Sequence, residues 1–244
     1  MSAHKPCVLL IEDDLSLQRF VGAALEELPL DLIAVSSVDE GLAVLAGKPV
    51  NLILTDLMMP GRSGFDLIDA LAADPALRGD AKLAVFSAGL DPHVRRRLTR
   101  PDVWRLLLKP CSILELEDCV RSALRIDEDM STAPVPAVVV DPRSAAIDVY
   151  FGGNAALYNA FRASCVTQFR ADITAGDDAI ATNSLPALHH LAHSLKSVLL
   201  TLGHAIDSEQ AMCLEETSQA GDARRASASW SVLRARLGIL IKTG

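Results

Sequence analysis

The sequence has no apolar run long enough to cross a membrane. A membrane-spanning helix needs about 18 consecutive apolar residues, whereas the longest runs, such as residues 106–108 and 137–140, are only a few residues long. An apolar run at residues 7–11 is followed at once by three acidic residues. We therefore expect neither a membrane segment nor a signal peptide.

The sequence also lacks an excess of basic residues. Its formal net charge is −8. Residues 1–126 carry 14 basic and 18 acidic side chains, and the remaining residues carry 9 and 13, so each part has a net charge of −4. Binding to a nucleic-acid backbone depends on clustered Lys and Arg. We therefore expect no nucleic-acid partner.

Cysteine pairs and nucleotide-binding loops are missing as well. The five cysteines include no C-x-x-C pair, so neither a disulfide framework nor a zinc site is indicated, and a reducing cytoplasm is expected. Neither G-x-x-x-x-G-K-[ST] nor G-x-G-x-x-G occurs. The chain is therefore not expected to use ATP or to contain an ATP-binding kinase domain.

What is present divides the 244 residues into two parts. Residues 1–126 alternate short apolar runs with helical periodicity, which predicts a five-stranded, doubly wound parallel sheet of the flavodoxin-like α/β class. Residues 127–146 begin with an acidic, proline-containing stretch that we interpret as a linker. Residues 147–244 contain four segments with helical spacing (154–175, 185–202, 204–219 and 222–241), which predict an all-α four-helix bundle.

Charged and hydroxyl side chains follow four of the five predicted strands. They are Glu12, Asp13, Asp56, Ser87 and Lys109. In an open α/β sheet the binding site lies beyond the carboxyl ends of the strands, so we expect these groups to meet. Clustered carboxylates favour a hard divalent cation such as Mg²⁺. Asp56, in the middle, is the predicted nucleophile of a phosphoryl transfer. Asp14 is instead interpreted as the cap of the following helix.

Residues 6–126 resemble a response-regulator receiver domain. The matching stretches are LIEDD at 10–14, LTDLMMPG at 54–61, FSA at 86–88 and KP at 109–110. The resemblance implies that Asp56 catalyses its own phosphorylation as the phospho-acceptor, with Ser87 and Lys109 contacting the phosphoryl group. It implies Mg²⁺ held by Asp13, Asp56 and the main-chain carbonyl of Met58, with Glu12 acting through water, and a cis peptide before Pro110.

The sequence departs from the receiver pattern at two places. The family usually has Tyr or Phe three residues before the lysine, where this chain has Leu106. The family's Gly-Ala turn before the fifth strand is replaced by TRPD at 99–102. The residues for phosphorylation are therefore present, while the usual aromatic switch is absent.

A histidine stands opposite the apolar stripe of the predicted helix 185–202. At about 100° per residue, His193 projects roughly 180° from the centre of that stripe. This predicts an exposed imidazole flanked by Lys196 and Ser197, suited to nucleophilic attack on phosphorus. The pair His189 and His193 also has the i, i+4 spacing of zinc ligands, but the sequence shows neither an intervening glutamate nor a third ligand.

Residues 138–244 resemble a histidine-containing phosphotransfer domain. The matching stretches are LAHSLKS at 191–197, FGGN at 151–154, LG at 202–203, LE at 214–215 and GD at 221–222. The resemblance implies that His193 is the phosphohistidine and that Lys196 assists it. The family usually has glycine, which leaves room for a partner receiver, where this chain has Ser197.

Together these features predict a cytoplasmic two-component phosphorelay protein. A separate histidine kinase would phosphorylate Asp56, and His193 would exchange phosphoryl with Asp56 or with the receiver domain of a downstream response regulator. Three alternatives stay open. The receiver could only gate access to His193, the chain could be an unphosphorylated adaptor, or His189 and His193 could belong to a zinc hydrolase.

Overall fold

The computed structural model describes residues 5–88, 92–126 and 141–243. The chain divides into two compact units, Met1–Val138 and Val139–Gly244. The predicted linker at 127–146 lies outside the described residues up to position 140. In the described part of the chain, no helix is both long and apolar enough to span a membrane.

The first unit is a parallel five-stranded sheet, as predicted. Its strands are β1 (Cys7–Ile11), β2 (Asp31–Val35), β3 (Leu52–Thr55), β4 (Lys82–Ser87) and β5 (Arg105–Leu108). They are ordered β2-β1-β3-β4-β5, and every pairing is parallel. The central strand β3 is buried along its whole length, because helices cover both faces of such a sheet. The order reverses direction beside β1 and β3, which places the crevice at their carboxyl ends.

Six helices surround this sheet in the described residues. They are α1 (Leu15–Ala24), α2 (Val38–Gly47), α3 (Gly64–Ala73), α4 (Pro75–Arg78), α5 (Pro92–Leu98) and α6 (Ile113–Leu124). Asp14 caps α1 by accepting hydrogen bonds from the amides of Ser16 and Leu17, which confirms its predicted role. The single-turn helix α4 was not predicted.

The second unit is all helical. Its helices are α7 (Pro142–Phe151), α8 (Ala155–Ala181), α9 (Leu185–Thr201), α10 (Ala205–Gln219) and α11 (Ala223–Lys242). The last four correspond to the predicted bundle. Helix α7 was missed and begins inside the predicted linker. Its Pro142 stands in the first turn behind the capping residue Asp141, a position where proline starts a helix rather than extending a linker.

Close packing between α8 and α11 depends on a glycine. A Cβ atom at Gly176 would lie 2.1 Å from the ring of Trp230. The indole nitrogen of Trp230 donates to Asp177 at 3.0 Å, and Arg234 forms an ion pair with the same carboxylate.

Helix α9 packs against α8, α10 and α11. Side chains in the middle of α9 therefore have neighbours on more than one side.

Candidate functional site

The carboxyl ends of the strands bring the predicted acidic residues and lysine together. Lys109, directly after β5, places its Nζ 2.8 Å from Oδ2 of Asp56 and also contacts Glu12. Carboxylate oxygens of Glu12, Asp13 and Asp56 lie within 4.8 Å of one another. This cluster could hold a hard divalent cation, because such ions take carboxylate and carbonyl oxygens as ligands.

The cluster is strongly polar although most of it is buried. Asp56 and Glu12 are 3% and 1% exposed, and Lys109 is 8% exposed. Burial raises the pKa of Glu12 well above its ordinary value, and the attraction of Lys109 only partly opposes this. Burial would lower the pKa of Lys109, but Asp56 and Glu12 outweigh it and raise the value. Lys109 is thus held as an ammonium ion beside Asp56.

The loop after β3 fixes the carboxylate of Asp56. Its Oδ1 accepts hydrogen bonds from the main-chain amides of Leu57 and Met58. Met58, whose carbonyl is a predicted metal ligand, lies in the same loop, two residues after Asp56. Gly64 packs against this loop, and a Cβ there would lie 2.0 Å from the carbonyl oxygen of Asp56. Sequence reasoning missed Gly64, because the need for a missing side chain arises only from a contact across the loop.

The remaining predicted receiver residues lie at the expected strand ends. Ser87 ends β4 and is 1% exposed. The peptide bond between Lys109 and Pro110 is cis. Leu106, at the position where an aromatic residue was expected, is partly buried and packs on the hydrophobic core of the sheet. Trp104 lies under the ammonium group of Lys82, 4.4 Å from the ring centroid.

In the second unit, the structure corrects the predicted exposure of His193. Its side chain is 7% exposed, and Nε2 is buried without a hydrogen-bond partner among the described residues. Ser197, one turn further along, is 2% exposed. The prediction failed because helical periodicity gives the direction of a side chain relative to the apolar stripe. It does not say whether the opposite side is covered too.

A glutamate on α10 joins the predicted histidine and lysine. Nδ1 of His193 lies 2.6 Å from Oε1 of Glu215, and Nζ of Lys196 contacts the other carboxylate oxygen. Burial would raise the pKa of Glu215, but the hydrogen bonds and charges of His193 and Lys196 lower it to about 2. Glu215 is thus ionised at neutral pH. Glu215 could not be identified as a site residue from the sequence, since its approach to α9 depends on tertiary packing.

The geometry gives no support to the zinc alternative. In the described ranges, the only group of three or more potential metal-ligating His, Cys, Asp or Glu side chains is the one formed by Glu12, Asp13 and Asp56. Nδ1 of His189 instead donates to the main-chain carbonyl of Glu215 at 3.2 Å.

Comparisons with known proteins agree with the site in the first unit. Residues 8–121 match the family described as response regulator receiver domain. A similar curated protein is the KDP operon transcriptional regulatory protein KdpE of Escherichia coli, 31% identical over 140 residues, or 54% of this chain and 56% of that protein. Another is the probable transcriptional regulator ycf27 of Porphyridium aerugineum, 29% identical over 136 residues, or 54% of each chain.

Residues 8–121 are therefore a response regulator receiver domain, homologous to the response regulators of two-component signalling. The chain spans about half the length of these curated relatives. Among solved structures, a signal receiver domain of a putative Luxo repressor protein from Vibrio parahaemolyticus is 23% identical. The match covers 50% of this chain and 91% of that receiver domain, with a TM-score of 0.47.

Proposed function

We propose that this chain is a phosphorelay protein that carries phosphoryl groups on Asp56 and His193. A separate histidine kinase supplies the phosphoryl group to Asp56. His193 exchanges phosphoryl with a receiver aspartate, either Asp56 or one on a downstream response regulator. The observation that carries the proposal is the contact of Lys109 with Asp56 inside the carboxylate cluster. None of the five cysteines, all of which lie in the described residues, forms a disulfide, which supports a cytoplasmic location.

The receiver residues suit in-line transfer to a carboxylate. A carboxylate oxygen of Asp56 attacks phosphorus, the bond from phosphorus to the kinase histidine breaks, and that nitrogen keeps the electron pair. Lys109 and the hydroxyl of Ser87 stabilise the negative oxygens of the transferring group. Mg²⁺, when held by Asp13, Asp56 and the carbonyl of Met58, with Glu12 acting through water, supplies further positive charge.

The bundle residues select one nitrogen of His193. Because the pKa of Glu215 is about 2, its carboxylate only accepts hydrogen bonds at neutral pH. Nδ1 of His193 therefore carries the proton in this contact, which leaves the lone pair on Nε2 as the nucleophile. The same carboxylate neutralises the positive ring that forms when Nε2 is phosphorylated. In this proposal Lys196, which contacts Glu215, assists by binding the incoming phosphoryl oxygens.

The burial of His193 favours a second candidate function. The Nε2 atom of His193 is buried, so phosphoryl transfer at this atom requires the groups that cover it to move. In the second candidate, phosphorylation of Asp56 controls access to His193 without supplying the phosphoryl group. An unphosphorylated adaptor would need neither the carboxylate cluster nor the ionised Glu215.

Phosphate labelling of variants tests the two sites. Wild-type protein incubated with a labelled small-molecule phosphodonor and Mg²⁺ should form a base-labile acyl phosphate, and Asp56→Asn should not. Asp13→Asn should chiefly weaken the Mg²⁺ dependence. Asp14→Asn is the comparison variant, because it changes a neighbouring carboxylate that caps α1 and is not one of the proposed metal ligands. Equal labelling of wild type and Asp56→Asn would contradict the assignment, and no labelling of any form would favour the adaptor.

Mixing two variants separates the relay from the gate. Labelled His193→Gln, which carries phosphate only on Asp56, is added to Asp56→Asn. A relay between Asp56 and His193 predicts that acid-labile, base-stable label appears on His193 of the second variant. A gate predicts that no label moves between the two variants. It also predicts that phosphorylating Asp56 of the wild type with unlabelled phosphate speeds the labelling of His193 by another receiver that carries labelled phosphate.

A further inference from the structure

A basic cavity lies at one end of the helical unit, away from His193. It has a volume of about 460 Å³, within the usual range for small-molecule sites. It is lined by the first turns of α7 and α10, the N-terminal part of α8, the C-terminal end of α9 and the C-terminal half of α11. Leu202 follows His193 by nine positions, which correspond to about 14 Å along the helix. The cavity is thus separate from the phosphotransfer site.

Three arginines line this cavity, although the unit as a whole is acidic. Residues 127–244 carry nine basic and 13 acidic side chains, and Arg143, Arg162 and Arg236 all reach the cavity. Of its two acidic lining residues, Asp207 is buried and paired with Nε of Arg236 at 2.6 Å. Asp141 is exposed and turned to the amide and hydroxyl of Ser144. The lining is therefore positive in a unit of net negative charge.

The guanidinium groups keep donors available for a ligand. The Arg162 side chain donates a hydrogen bond to the main-chain carbonyl of Thr243 at 3.0 Å. It forms no ion pair within the described residues. Arg236 uses Nε on Asp207, and its two terminal nitrogens have no recorded partner in the same ranges. An arginine presents five N–H donors in a fork that matches phosphate or carboxylate oxygens.

Other groups of the cavity fit the rest of such a ligand. Helix α10, 15 residues long, begins at Ala205 without a side-chain cap, so its first amides add to the positive potential. The walls also include the apolar side chains of Leu202, Ile206 and Leu240. The guanidinium group of Arg143 lies over the ring of Tyr158, 5.3 Å from the ring centroid, and extends the flat part of the cavity wall that this ring forms.

We infer that this cavity binds a small organic phosphate, with the phosphate on Arg162 and Arg236 and the organic part against the apolar wall. The three arginines alone would suit any anion. The volume and the apolar residues favour a ligand of about mononucleotide size over an inorganic ion. This site is independent of phosphoryl transfer, so its test needs no phosphorylation.

Calorimetric titration of the full-length chain tests the inference, with AMP as the probe. We expect saturable binding of AMP, and at least tenfold weaker binding of adenosine and of inorganic phosphate. Arg162→Gln should weaken AMP binding tenfold or more, because it removes a charge-assisted contact. Arg170→Gln is the matched control, since Arg170 is an exposed residue of α8 that does not line the cavity. Arg162 is the better target than Arg236, whose loss would leave Asp207 buried without its partner.

Three results would overturn the inference. They are no AMP binding at millimolar concentration, equal affinity of the Arg162→Gln and Arg170→Gln variants, and equal affinity of the wild type for AMP and adenosine. Unchanged circular dichroism of Arg162→Gln shows that a loss of binding does not come from unfolding. If folding were affected, Arg143→Gln, which changes an exposed side chain on α7, should still weaken AMP binding and leave the fold intact.

Discussion

Replacing Glu215 by Gln should destabilise the helical unit at neutral pH and much less in acid. The pKa of Glu215 falls from an ordinary 4.5 to about 2 in the folded chain, and its side chain is 14% exposed. At about 1.4 kcal/mol per pKa unit, the ionised carboxylate contributes about 3 kcal/mol of stability. A lowered carboxyl pKa stabilises the fold above the unfolded-state pKa, and that contribution is lost as the pH falls through the folded-state pKa. Near pH 3, roughly 1 kcal/mol should remain.

Trp230 provides a local signal for this measurement. The sequence has two tryptophans, and Trp230 is buried in α11. In a Trp104→Phe background, its fluorescence therefore reports the unfolding of the helical unit. Glu215→Gln should lower the midpoint of thermal unfolding by roughly 12 °C or more at pH 7, and by much less at pH 3. Glu216→Gln, at the neighbouring exposed position, should change neither. An equal loss at both pH values would refute the electrostatic explanation.

Three further predictions concern other contacts. Lys109→Met leaves two buried carboxylates without their ammonium partner, so it should lower the free energy of unfolding by about 3–5 kcal/mol; chemical denaturation should show this, and added Mg²⁺ should recover part of the loss. Gly64→Ala pushes a methyl group into the carbonyl of Asp56 and should cost about 1–3 kcal/mol and slow acyl-phosphate formation, whereas Gly47→Ala, with open space around it, should do neither. Ser197→Gly should cost about 0.5 kcal/mol of stability yet speed transfer between His193 and a receiver domain, and an unchanged transfer rate would show that steric room at this position is not limiting.

The receiver site could be predicted from the sequence because strand ends are visible in it. Short apolar runs give the strands, and a parallel sheet brings their carboxyl ends to one edge. Glu12, Asp56 and Lys109 could therefore be placed together without knowledge of any contact between them. The helix that begins at Pro142 was missed for the opposite reason. A proline after an aspartate is compatible with both a linker and a first helical turn, and only packing decides between them.

The side chains of α9 show where sequence periodicity stops being informative. Leu195 and Leu199 lie in the predicted stripe and are buried, so the stripe itself is real. His193 on the other side is nevertheless buried, with Glu215 of α10 beside it. An apolar stripe predicts one buried face because apolar burial is the main driving force. A histidine on the opposite side can be buried as well when a charged partner accepts a hydrogen bond from one of its nitrogens.

This second buried face has a consequence for the chemistry of His193. An exposed imidazole would be available to any phosphorylated receiver that collides with it. A buried Nε2 must first be uncovered, so the observed transfer rate equals the rate of the open form multiplied by the fraction of molecules that are open. Partial opening at low denaturant concentration should therefore speed transfer to His193 from a phosphorylated receiver before the bundle unfolds. A rate that only declines as denaturant is added would show that access to Nε2 does not limit the reaction.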